Sequence, residues 1–204
     1  MAAARAKTSL LAVMKRVGFS DPVSGKFLDA KSSRFEESLS ALVALYHYLG
    51  RIRWEQVRLR SLTGEMTNAS AGELISGQGI LVPEFPLLHS TDTEMNMWGA
   101  MRIDLLYFER GAQAAGFIDS KLGSRFHYEL RPDTIQPARY LEYLLKVTTI
   151  PKRFFVFATS EALLTEAAYL PLLRGAFDHS EERRGFSSRH VVTWEDVVAA
   201  CATK

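Results

Sequence analysis

Asp104 and the triplet Asp119-Ser120-Lys121 have the residue types and spacing for chemistry in this 204-residue chain. Each belongs to an apolar run that reads as a strand, Arg102 to Phe108 and Ala115 to Lys121. Glu109 to Gln113, with Gly111, reads as the hairpin turn between them. Residues two apart on a strand share a face, so Asp119 and Lys121 point the same way as Phe117. Asp104, on the antiparallel neighbour, is predicted to converge with Asp119 at a strand end. An aspartate between Ile103 and Leu105 is unusual, because strands disfavour Asp and burying a carboxylate is costly.

Two carboxylates so placed repel each other. A hard divalent cation relieves the repulsion, and Mg2+ takes one or two carboxylates while keeping several waters. Such an ion lowers the pKa of a bound water and polarises a phosphoryl oxygen. An ammonium alongside orients the attacking water and stabilises charge on the phosphorane. The pattern suits metal-dependent phosphodiester hydrolysis, with Asp104 and Asp119 on the metal and Lys121 on the water. The plain alternative is a salt bridge from Asp104 or Asp119 to Lys121.

The elements that must carry these residues read as follows. Ser32 or Ser33 caps a helix with the apolar face Phe35, Leu39, Leu42, Val43, Tyr46 and Leu49, and Gly50 ends it. Arg51 to Leu62 alternates like a strand with mixed faces. Its Arg51, Arg53, Arg58 and Arg60 could track phosphates, or simply guard an edge strand. Residues 63–100 read as loops and short pieces, an insertion on a larger scaffold. Asp133 or Thr134 caps a helix to about Val147. Arg153 to Ala158 is apolar on both faces and predicts a central buried strand. A helix from Glu161 to Leu173, a strand at His190–Val192 and a helix from Trp194 to Ala202 complete an α/β pattern.

In these motifs the chain resembles the PD-(D/E)xK, or restriction-endonuclease-like, nuclease superfamily. Asp104 matches the first aspartate and Asp119-Ser120-Lys121 the (D/E)xK part; Ile103 stands where the motif has proline. The resemblance covers roughly residues 33–160 and includes the order of elements. It implies a restriction-endonuclease-like core, a mixed central sheet flanked by helices. It also implies a Mg2+-dependent endonuclease or exonuclease acting on DNA, with Mn2+ as a substitute. The metal ligands would be Asp104, Asp119 and the Ser120 carbonyl, and Lys121 would be catalytic. Gln136 and Tyr140 form the Gln-x-x-x-Tyr of the RecB-like branch, and with Arg139 they are expected to meet substrate. The first-helix glutamate of the family would be Glu36 or Glu37. With Leu39 at the centre of the apolar stripe, Glu36 lies about 60° away and Glu37 about 160°, at roughly 100° per residue. Glu36 is thus nearer the core, although a capping box with Ser33 would also explain it. Lys121→Ala is expected to abolish Mg2+-dependent cleavage with the fold intact.

Composition narrows the remaining classes. Lys plus Arg is 25, Asp plus Glu is 23, and the net charge is +2, which excludes a polybasic binder. The charge is unevenly spread: residues 1–60 carry +6, 61–120 carry −6, 121–153 carry +4 and 154–204 carry −2. One cysteine, Cys201, excludes an internal disulfide framework and fits a reducing cytoplasm. With five histidines out of metal spacing, zinc is not expected. No run reaches the roughly 20 apolar residues of a membrane span. The expected organisation is an N-terminal segment, 1–31, and a nuclease-like domain, 32–204, with the insertion at about 63–100. Other readings are an inactive nuclease-fold subunit of a larger complex, or an interaction module. The acidic 61–101 stretch would then meet a protein partner or a second copy.

Overall fold

A computed structural model describes residues 2–32, 34–86, 102–109, 111, 113–122, 150–166, 171 and 188–201. Helices α1 (Ala2–Val17) and α2 (Phe35–Tyr48) lead into strands β1 (Arg58–Arg60), β2 (Met66–Ser70) and β3 (Ile80–Pro86). Then come β4 (Arg102–Phe108), β5 (Ala114–Lys121), β6 (Lys152–Thr159), α3 (Glu161–Leu164), β7 (Ser188–Thr193) and α4 (Trp194–Ala199). The seven strands form one mixed sheet in the order β2-β1-β7-β6-β5-β4-β3. β5, β6 and β7 run parallel, and the remaining pairs are antiparallel.

β6 is the central strand, as its apolar run predicts. Phe154, Val156 and Ala158 enter one cluster with Leu39, Tyr107 and Trp194. Phe155 and Phe157 enter the other with Phe117, Leu163 and Val191. A strand covered on both sides must be apolar at every position, which is why periodicity is lost there. α2 packs on β3, β4 and β5, while α1 packs on α3 and α4. Leu10, Met14 and Phe19, from the expected N-terminal segment, are wholly buried in the same cluster as Leu39.

Several local expectations change. Only Arg58–Arg60 of the 51–62 stretch is a strand; Trp54–Gln56 is a 3-10 turn. Trp54 is buried, and its indole N–H donates to His47 Nδ1 at 2.9 Å. That buried bond overrides the alternating pattern. The stretch read as loops supplies both outermost strands, β2 and β3. β2 has no fully buried residue, so it carries no readable apolar alternation. Residues 87–100 lie outside the described residues.

Near the other end, α3 stops at Leu164 rather than Leu173. Thr165 Oγ donates back to the Ala162 carbonyl at 2.9 Å, a side-chain bond that competes with helix propagation. α4 ends at Ala199, short of the expected Ala202, where Cys201 turns away to bridge Ile52. Thr193 caps α4 as expected, accepting from the Asp196 N–H at 3.1 Å. No helix among the described residues is long and apolar enough to cross a membrane.

Candidate active site

The β4–β5 hairpin turns at Gly111, whose φ of 85° needs the freedom of glycine. The Glu109 N–H donates to the Ala114 carbonyl at 2.9 Å and starts the ladder. Pairs run from Phe108↔Ala115 to Leu105↔Ile118. One further step sets Asp104 opposite Asp119. Counting alternately from the bonded Glu109–Ala114 pair, this is a non-hydrogen-bonded pair, where facing residues come closest. Like charges directly opposite are destabilising there.

The ladder yields at that point. Ser120 N–H would next meet the Ile103 carbonyl, but it donates to Asp104 Oδ2 at 2.6 Å. Asp119 and Lys121 share the opposite carboxylate's face, and Lys121 Nζ lies 3.0 Å from Asp119 Oδ1 and 2.9 Å from Oδ2. Asp119 is 1% exposed and Lys121 5%. Burial and the Asp119 charge push the Asp104 carboxyl up to about 8, and the two carboxyl groups lie within hydrogen-bonding reach. Burial pulls the Lys121 ammonium down, but Asp119, Asp104 and Glu36 outweigh it, and the net shift is upward. Below about pH 8 the Asp104 carboxyl therefore holds a proton beside the Lys121–Asp119 pair.

Of the two candidate glutamates, α2 brings Glu36 to this site. The Leu122 N–H bonds its carboxylate, and it feels the charges of Lys121 and Asp119; burial raises its pKa. Glu37 is exposed and lies 3.9 Å from Arg34. The capping-box explanation of Glu36 falls away. Arg34 is the N-cap, with no side-chain cap bond, so Glu36 occupies the second helical position. Ser33 lies outside the described residues; the Ser32 hydroxyl accepts from the Arg34 N–H.

Ser120 is held from two sides, the first being the bond of its N–H to Asp104. Its hydroxyl accepts from the Trp194 indole N–H at 3.1 Å, on the face away from Asp119. Its carbonyl points to the same side of the strand as its N–H, toward β4 and Asp104, as a ligand role requires. Next along, the Thr159 hydroxyl donates to the Lys121 carbonyl at 2.8 Å, tying the end of β5 to β6. Trp194 and Thr159 lie 74 and 38 residues away along the chain, so no local signal announces them.

Glu84 would be the fourth carboxylate by register, facing Asp104 from β3. Its φ of 51° departs from extended geometry inside β3, and its charged neighbours are Glu37 and Arg102 instead. Among the described residues, no three acidic, histidine or cysteine side chains gather into a metal cluster. Gln136, Arg139 and Tyr140 lie outside the described residues. Arg60 is committed to Glu161 at 2.8 Å and Asp196 at 3.9 Å. Burial pushes the Cys201 thiol up to about 12, so it is no nucleophile.

No family model, curated protein or solved structure matches this chain. The site must speak through its own geometry. That geometry places an acid pair, a lysine and a helix-borne glutamate at the C-terminal end of a parallel strand. In open α/β sheets, the crevice outside such strand ends is where ligands bind.

Proposed function

We propose that this chain is a metal-dependent nuclease that hydrolyses phosphodiester bonds in DNA. The observation that carries the reading is the register of Asp104 against Asp119, with Lys121 two residues on. Folding brings two carboxyls together out of water and leaves Asp104 holding a proton at neutral pH. A divalent cation fits such a pair, because it replaces that proton with a larger charge. Asp104, Asp119 and the Ser120 carbonyl would hold it, with water completing the shell of a hard ion. When bound, it would polarise the phosphoryl oxygen and acidify a water.

The remaining steps belong to the protein. Hydrolysis adds water across a P–O bond: the hydroxyl joins phosphorus and the proton reaches the departing oxygen. Lys121 Nζ is a three-proton donor held on Asp119, suited to orienting that water and to offsetting charge on phosphorus. Glu36, kept more basic than usual by burial, can receive the proton of the water and release it to solvent, from which the departing oxygen is protonated. The run α2, β3–β4–β5 antiparallel, then β6 parallel to β5, supports a restriction-endonuclease-like core.

The test uses Asp104→Asn, which keeps an acceptor for Ser120 N–H and removes a charged ligand. Supercoiled plasmid should be cut by the parent with Mg2+ or Mn2+ and not by the variant. A variant as active as the parent sinks the proposal. The closed Asp119–Lys121 pair favours one second reading, a nuclease-fold subunit that binds without cutting. Calorimetry separates the two, since no heat with Mg2+ or Mn2+ would support the inactive form.

A further inference from the structure

α1 carries Arg5, Lys7, Lys15 and Arg16 and no acidic residue. Its buried stripe is Ala6, Leu10 and Met14, each wholly inaccessible. At roughly 100° per residue, Lys7 lies about 60° from Leu10, while Arg5, Arg16 and Lys15 lie about 120–140° away. Arg5, Lys15 and Arg16 are accordingly exposed, and Lys7 is half-buried. α1 packs on α3 and α4, the helices that begin where β6 and β7 end. The candidate site stands at the same end of β5.

Lys7 Nζ sits 5.4 Å from the centre of the Phe35 ring, and Phe35 precedes Glu36. The Lys7 charge reaches Glu36, which also feels Lys121. Glu36 is thus flanked by two cations from different elements. Among the described residues, Lys121 is paired with Asp119, but no ion pair within 4.0 Å claims Lys7. A cation–π contact orients the ammonium without neutralising it. Such a group is a preset anion contact.

We propose that Lys7 binds a backbone phosphate of the DNA strand beside the scissile one, making α1 part of the substrate-binding surface. The inference rests on the nuclease reading and adds a binding residue to the same site. The N-terminal helix is then a functional wall of the site as well as a packing element. Arg preserves the charge and Gln removes it, so the pair Lys7→Arg and Lys7→Gln isolates the cation.

The experiment compares the parent, Lys7→Gln and Lys7→Arg, all as full chains, in plasmid cleavage and in anisotropy with a labelled DNA or RNA duplex across a salt series, with Asp104→Asn assayed for cleavage beside them. Lys7→Gln should raise KM about 5–10-fold with the change falling on KM rather than kcat, as for one lost contact of about 1 kcal/mol. Its log–log salt slope should be shallower by about 0.9, the share of one phosphate on duplex DNA. Lys7→Arg should match the parent, and all three should melt together. Unchanged KM and slope in Lys7→Gln, with Asp104→Asn inactive, overturns the Lys7 assignment and leaves the nuclease reading standing. An Asp104→Asn variant that cuts normally overturns the nuclease reading. A parent that neither cuts nor binds DNA overturns both. A slope change seen with an RNA duplex alone overturns DNA as the substrate.

Discussion

The Ser120 N–H donates to the Asp104 carboxylate at 2.6 Å across the β4–β5 hairpin. An ordinary ladder would have sent that N–H to a backbone carbonyl. Here a side chain from the facing strand intercepts it, so the strands stop pairing where the two aspartates meet. The end of the ladder and the start of the site are one event. The same bond holds Asp104 in place while its neighbour Asp119 is held by Lys121.

Asp104→Asn should stabilise the metal-free protein at high pH. The folded-state pKa of Asp104 is raised from 3.8 to about 8. A raised carboxyl contributes stability that is complete below about pH 4 and is lost as pH climbs through about 8. Metal-free parent should therefore melt lower at about pH 8.5 than at pH 7, and the variant should not follow. At the higher pH the variant should exceed the parent by at least about 2–4 °C, the effect of one kcal/mol in a domain of this size. Equal Tm values at both pH values would show that Asp104 is not held protonated.

Lys121→Ala will not leave the fold untouched, contrary to the expectation from sequence. It strands the Asp119 carboxylate in the interior, where breaking a pair costs about 3–5 kcal/mol. Tm should drop by roughly 10 °C. Asp119→Asn combined with Lys121→Met should regain most of that loss yet remain unable to cut DNA. Thermal melts and plasmid assays on the same samples separate the structural share of the pair from its chemistry. A single variant as stable as the parent would refute the buried ion pair.

His47 and His190 should make the protein weaker in mild acid. Burial lowers the pKa of both rings. Each then contributes stability that is whole above about pH 6.5 and fades as pH falls, because the unfolded chain takes up protons first. Urea unfolding at about pH 7.5 and 5.5, in the Asp104→Asn background, removes the opposing titration of Asp104. His47→Gln should shrink the pH difference, whereas an undiminished difference would rule His47 out as its source.

Gly116→Ala should destabilise the sheet next to the site. Gly116 pairs with Phe154 in the β5–β6 register, and the Phe154 ring occupies the space a Cβ would need. Overpacking of this kind costs about 1–3 kcal/mol. Chemical denaturation should show the loss. Phe154→Leu in the same chain should relieve part of it, and no relief would place the strain elsewhere.

The sequence by itself determined the hairpin, the shared face of Asp119 and Lys121, and the central strand β6. Each is a short-range property: a turn glycine, a two-residue parity, an unbroken apolar run. It also ranked Glu36 above Glu37, through helical angle alone. Tertiary structure decided what depends on distant partners. It buried the Asp119–Lys121 pair and placed Thr159 and Trp194 behind it. It freed Glu36 from its capping role and brought Lys7 of the N-terminal helix to the same end of the sheet. It also made edge strands of 66–70 and 80–86, where half-exposed residues carry little periodic signal. Burial and charge environment are sums over contacts between remote segments, and no window of neighbouring residues contains them.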